Sequence, residues 1–203
     1  MNMYKKIINK ILQVFYIKSI KTKKNDVYLT FDDGPETGIT EFVLDELKKY
    51  NYLATFFSRG DNAERNSLLM DRIRQEGHAV ANHTYSHLHA YDVPAKYYLD
   101  DVEKADSVLH TNLFRPPHGS LTFKTWWNLR NKYKIVFWAL NSEDSKLGNF
   151  DLQYAFTNLK KRTKPGDVIL FHFCQKHEQE TSQILPLYLA WLYEQGYNCN
   201  KID

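Results

Sequence analysis

Residues 28–37 read YLTFDDGPET. An apolar run, Val27–Phe31, ends in two adjacent carboxylates, Asp32 and Asp33, and then in a Gly34-Pro35 turn. A helical pattern follows at once, with Ile39, Phe42, Val43 and Leu47 recurring on one face between about Gly38 and Tyr50. Turn chemistry accounts for one Asp, whose carboxylate can accept from turn N–H groups. It does not account for two like charges side by side.

The strand–turn–helix unit recurs along the chain. Further strands are predicted at Ala54–Phe57, Ala79–Ala81, Leu113–Arg115, Ile135–Trp138 and Val168–Phe171. Helices are predicted at about Pro94–Leu109, Thr122–Asn131, Leu152–Arg162 and Leu185–Gln195, the last opened by Pro186, which suits a first helical turn. Strands alternating with helices imply parallel strands and crossover connections, hence an α/β protein. Six or more such units fit a closed or nearly closed (β/α) barrel, with active-site residues on loops at the C-terminal ends of its strands.

With 203 residues, 43% apolar and 25% charged, the chain suits one globular domain. Residues 1–24 carry seven Lys and no acid, which leaves 20 basic against 24 acidic residues in the remainder. That body has no nucleic-acid motif and no basic surface signature, so nucleic-acid binding is set aside. The division is a basic amphipathic N-terminal segment, residues 1–25, and a globular domain, residues 26–203. In the first, Ile7, Ile8, Ile11, Leu12 and Phe15 fall on one helical face. It either packs on the body or lies on a membrane surface as a peripheral contact. Its apolar run is too short and too polar to span a bilayer, and no small-residue cleavage site marks a signal peptide. The compartment and oligomeric state stay open. Cys174 and Cys199 make no disulfide framework and lack metal-type spacing from each other, so both are expected reduced and buried.

Five strand ends deliver ionisable residues: Asp32 and Asp33; His83 and His87 in NHTYSH; Arg115 in RPPHG; Asp144 in FWALNSEDS; and His172 in VILFH. On a helical turn His83 and His87, four apart, would face the same way and bite a divalent metal. Asp33 supplies the carboxylate that completes a catalytic-zinc set. Each residue also has a plainer reading. The histidines, with His89, can be solvent-facing loop residues, Asp144 a solvated acid, Arg115 a surface ion-pair partner and His172 a core-edge histidine.

TFDDGP, HTYSH, RPPHG, a Trp-led stretch ending in Asp144, and ILFH stand in the order seen in polysaccharide deacetylases. The chain therefore resembles carbohydrate esterase family 4, the chitooligosaccharide deacetylase homology domain, over about residues 26–200. The resemblance implies a single-domain distorted (β/α) barrel and a hydrolase that removes N-acetyl groups from an N-acetylated sugar or polysaccharide. It implies that Asp33, His83 and His87 hold one divalent metal, zinc first, with cobalt, nickel or manganese as alternatives. The metal would activate a water, Asp32 would act as general base, and His172 as general acid. Arg115 would pair with Asp32, and Asp144 would orient His172. A backbone N–H near His118 would stabilise the oxyanion, and Leu170 would line the acetyl pocket. The sequence departs from the family pattern at His118, usually Tyr or Phe, at Ser145, usually Trp, at Asn141, often an acid, and at Phe173, commonly Asp. The alternatives are a deacylase or deformylase of a small or lipid-linked sugar amide, and a metal-retaining carbohydrate-binding pseudoenzyme.

Overall fold

The run around Leu29 becomes the central strand, apolar because both of its faces are covered. The computed structural model describes Ile7 and residues 11–203. Strand β1 (Asp26–Asp32) is flanked in parallel by β2 (Ala54–Ser58) and by β7 (Val168–His172). Val27, Leu29, Thr30 and Phe31 have no exposed surface. The register sets Asp32 opposite Phe57 on one side and His172 on the other. Two chemically distinct residues thus meet at the same level of the sheet.

The remaining strands are β3 (Ala79–Asn82), β4 (Leu113–Phe114), β5 (Lys134–Ile135), β6 (Leu140–Asn141) and β8 (Asn198–Cys199). Their order is β5-β4-β3-β2-β1-β7-β6, all parallel, with β8 paired to the start of β1. The edge strands β5 and β6 do not pair with each other, so the sheet curls into an open barrel. The N-terminal segment crosses this seam. Ile17 N donates to Ile135 O (2.9 Å), Phe137 N to Ile17 O (2.7 Å) and Val168 N to Lys18 O (3.2 Å).

Seven helices pack around the sheet among the described residues: α1 (Ile39–Lys49), α2 (Gly60–Arg65), α3 (Ser67–Gln75), α4 (Ala95–Leu109), α5 (Phe123–Leu129), α6 (Leu152–Arg162) and α7 (Glu178–Glu194). None is long and apolar enough to cross a membrane. The sequence pattern misses α2 and α3, because in GDNAERNSLLMDRIRQ only Ala63, Met70 and Ile73 supply buried apolar side chains. It also misplaces the start of α7. That helix begins at Glu178, and Pro186 lies inside it. The turns before Pro186 carry Thr181, whose hydroxyl bonds within the site described below.

Residues 1–6 and 8–10 of the expected amphipathic segment, Ile8 among them, lie outside the described residues. Of the apolar face, Leu12 is buried, whereas Ile7, Ile11 and Phe15 are exposed. Tyr16 is buried as well, its ring stacked on Phe137 with centroids 4.2 Å apart.

Gly34, just after β1, lies close against the chain leaving β7. A Cβ there would stand 2.5 Å from the Phe173 ring and from Phe173 O. Phe173, fully buried, packs edge-on against Phe56 with centroids 5.1 Å apart and cannot retreat freely. Gly34→Ala should therefore lower stability by about 1–3 kcal/mol, as overpacking does. The urea midpoint should fall with the slope unchanged; an unaltered midpoint would contradict this packing.

Candidate active site

In a straight strand, neighbouring side chains point to opposite faces. Asp32 is the last residue of β1, and Asp33 leaves it at φ +82°. That left-handed step is costly for a residue with a Cβ. It lets both carboxylates approach one group: His83 Nε2 lies 3.4 Å from Asp33 Oδ1 and 3.9 Å from Asp32 Oδ2. The step is held from outside, because Asn62 Nδ2 donates to Asp33 O (2.8 Å) and Asn66 Nδ2 to Pro35 O (3.1 Å).

His83 and His87 do not share a helical turn, contrary to the expectation from their spacing. They sit on a loop after β3 in which Thr84 and His87 both have positive φ, +63° and +59°. Local hydrogen bonds wind it: Thr84 N donates to Asn82 Oδ1 and His87 N to Thr84 Oγ1. Asp101 on α4 then staples it, accepting from Tyr85 N, Ser86 N and Ser86 Oγ at 2.8–3.0 Å. The two imidazoles arrive 5.1 Å apart, centroid to centroid. His89 is not part of this pair; its Nε2 meets Ser120 Oγ at 3.2 Å.

Asp33, His83 and His87 each present a ligating atom within 4.8 Å of the others. Asp33 Oδ1 lies 3.0 Å from His87 Nε2 and 3.4 Å from His83 Nε2. Yet it is buried and no N–H lines up with it as a hydrogen bond. His83 Nδ1 donates to Arg115 O (2.8 Å), which fixes its proton there and leaves Nε2 as a lone-pair donor. An orphaned carboxylate oxygen facing imidazole nitrogens suits a divalent cation better than it suits the protein alone.

Asp32 is bound differently. Its Oδ1 accepts from Arg115 Nη1 at 2.6 Å, and Arg115 has no exposed surface. Burial lowers the guanidinium and the Asp32 charge works against that lowering. The other Arg115 donors reach Thr30 Oγ1, Val136 O and Phe137 O. One Asp32 oxygen is thereby occupied, and Oδ2 faces His83.

His172 closes the opposite wall. Its Nδ1 donates to Asp144 Oδ1 and its backbone N–H to Asp144 Oδ2, both at 2.8 Å. Thr181 Oγ1 donates to the same Oδ2 at 3.0 Å. Burial alone would lower the imidazole. The Asp144 charge and hydrogen bond, aided by Asp33 and Asp32, instead push it up to about 9. Asp144, fully buried, is lowered in turn: burial opposes this, and His172 outweighs it.

Between these walls lies a cleft of about 290 Å³ lined by His118, Trp138, Asn141, Ser145 and Leu170 together with the carboxylates and histidines. The structure thus brings all nine predicted site residues to one place. His118, at φ +57°, has its ring within 4.7 Å of the His87 ring and 5.1 Å of His89, centroid to centroid. Burial and these histidine neighbours push its pKa down. Sequence reasoning missed Asp101, Asn62 and Thr181, which bond across long stretches of chain. It also missed Cys174 and His177, whose i, i+3 spacing was the only available signal.

The chain matches the polysaccharide deacetylase family model over residues 19–137. It is 36% identical over 156 residues to a peptidoglycan-N-acetylglucosamine deacetylase of Bacillus cereus, covering 73% of this chain and 56% of that protein. It spans little more than half the length of that relative. It is 31% identical over 198 residues to the peptidoglycan-N-acetylmuramic acid deacetylase PdaA of Bacillus subtilis, covering 93% of this chain and 73% of that protein. A crystal structure of a peptidoglycan N-acetylglucosamine deacetylase superposes with a TM-score of 0.85 at 30% identity, covering 94% of this chain and 92% of that one. With this overall match and the convergence of its five motifs on one cleft, the chain belongs to the polysaccharide deacetylase family.

Proposed function

We propose that the protein is a metal-dependent hydrolase that removes acetyl groups from N-acetylated sugars of a peptidoglycan-type glycan. The observation that carries this reading is a division of labour between adjacent carboxylates. Asp33 faces two imidazoles, whereas Asp32 is tied to Arg115 and keeps one oxygen toward the cleft. The names of the relatives support the substrate class.

Asp33, His83 and His87 would hold the cation, a two-His, one-carboxylate set that suits zinc and also admits cobalt, nickel or manganese. When bound, such a cation would polarise the amide carbonyl and acidify water. Asp32 Oδ2 takes the proton from the attacking water, while Arg115 fixes the carboxylate's orientation. His172, with Nδ1 committed to Asp144, presents its other ring nitrogen to the departing amine and protonates it. The His118 backbone N–H supports the charge developing on the carbonyl oxygen, and Leu170 offers an apolar wall to the acetyl methyl. Binding alone gives no role to the cleft-facing Asp32 Oδ2 or to His172, which weighs against a pseudoenzyme.

Acetate release from peptidoglycan fragments and N-acetylglucosamine oligomers, with added zinc or cobalt and again after EDTA, tests the reading. Release that EDTA abolishes and metal restores is expected. No release from any of these glycans, with metal bound, would overturn it. Asp32→Asn should cut turnover by about 10²–10⁴-fold, the usual weight of a general base, while metal stays bound. Asp33→Asn should lose the metal itself. Equal metal loss in both variants would refute the division of labour.

The His172–Asp144 pair sets a pH limit. A pKa of about 9 keeps His172 protonated at neutral pH, and the acid form is lost as pH rises through that value. Asp144→Asn removes the largest raising influence and leaves burial, which lowers it. The alkaline limb of the rate profile should move about 1–3 pH units toward acid. An unmoved limb would exclude His172 as the acid.

A further inference from the structure

Asp33 turns its two oxygens toward different neighbours. Oδ1 faces His83 and His87, while Oδ2 lies 4.0 Å from Cys174 Sγ. Asp33, Cys174 and His177 each offer a ligating atom, and those atoms lie within 4.8 Å of one another. Cys174 caps and His177 ends the 3-10 turn that joins β7 to α7, closed by His177 N donating to Cys174 O (3.0 Å). Gln175 N donates to Glu36 Oε2 (2.7 Å), which ties this turn to the loop after β1 and holds the two triads side by side.

A buried cysteine alone is ordinary core filling. Here it has a second feature beside it. His177 is only 4% exposed, and its Nδ1 is buried with no hydrogen-bond partner. Such a nitrogen is costly to keep without a ligand or a donor. Thiol, imidazole and carboxylate together form a set that favours thiophilic, tetrahedral cations.

We propose that Asp33, Cys174 and His177 form a second site for a thiophilic divalent cation such as Zn²⁺ or Co²⁺, with Asp33 as a carboxylate bridge to the first triad. The metal–sulfur bond forms as the thiol proton leaves to solvent, with no change of oxidation state. The proposal rests on the reading above only in taking Asp33 as a ligand of both ions. The two readings can fail separately.

The probe is Co²⁺, titrated into the metal-free full chain. Equilibrium dialysis counts bound ions, and a thiolate-to-cobalt charge-transfer band in the near ultraviolet reports sulfur ligation. The first triad has no sulfur, so it is silent in that band. The expected result is a silent first equivalent, then a second equivalent that brings the band. Cys174→Ser should abolish the band and the second equivalent while the first is retained. His177→Gln should weaken the second equivalent by about 10-fold or more. In His83→Gln the band should persist while the silent equivalent is lost.

A chain that binds one silent cobalt and shows no band at saturation overturns this proposal and leaves the deacetylase reading intact. A band lost in His83→Gln points to one four-ligand centre and also overturns it. A band that survives Cys174→Ser would belong to Cys199 and overturns it as well. A chain whose only cobalt carries the band, unaffected by His83→Gln, supports the second site and overturns the first triad.

Discussion

Arg115 carries a positive charge into a position with no exposed surface, and much of the site is arranged to accommodate it. An unpaired charge there would be far too costly, and all three guanidinium nitrogens are engaged. Asp32 and Thr30 on β1 take Nη1, and the carbonyls of Val136 and Phe137 take Nε and Nη2. The guanidinium carbon lies 4.0 Å from the centroid of the Phe57 ring. One side chain therefore links the central strand, the end of β4 and the irregular chain between β5 and β6. It satisfies backbone oxygens at the seam where the sheet fails to close. The same contact that completes the barrel wall fixes the proposed base.

The departures from the family pattern fit around this frame. Phe173 is a core residue packed over Gly34, so an acid there would have no solvent. Asn141 accepts from Glu143 N through Oδ1 and shapes the bend, with Glu143 at φ +68°, that presents Asp144. His118 and Ser145 face the cleft itself. Both present polar side chains to its wall.

Much of this was legible in the sequence because the carrying residues sit next to strand ends. Val27–Phe31 announced a buried parallel strand, and the doubled Asp required two partners, which His83 and Arg115 provide. The His83–His87 spacing was legible as a pair, but its geometry was not. Helical spacing and a loop with two left-handed residues give the same interval, and only the hydrogen bonds of Asn82, Thr84 and Asp101 separate them. Asp101 and Thr181 act on residues 15 and 37 positions away, a distance at which local patterns carry no information. The two-residue strands β6 and β8, which the sequence pattern misses, are too short for alternation to register. Pro186 misled because its local preference yielded to the packing of α7, whose Ile184, Leu185, Tyr188, Leu189 and Leu192 are fully buried.

The left-handed residues Asp33 and His87 are held by the protein's own bonds, from Asn62 on one side and Thr84 on the other. In small zinc domains the ion supplies the folding energy and the apo chain is unfolded. Here the conformational cost of gathering the ligands is already met by sheet and loop. The binding energy of the proposed cation would then be left for affinity, and the mould has little freedom to reshape around a guest. If Asp33, His83 and His87 hold the proposed cation, such a mould would favour small ions over large ones such as Ca²⁺ that need six to eight oxygens. The chain would then keep its fold when the proposed cation is removed.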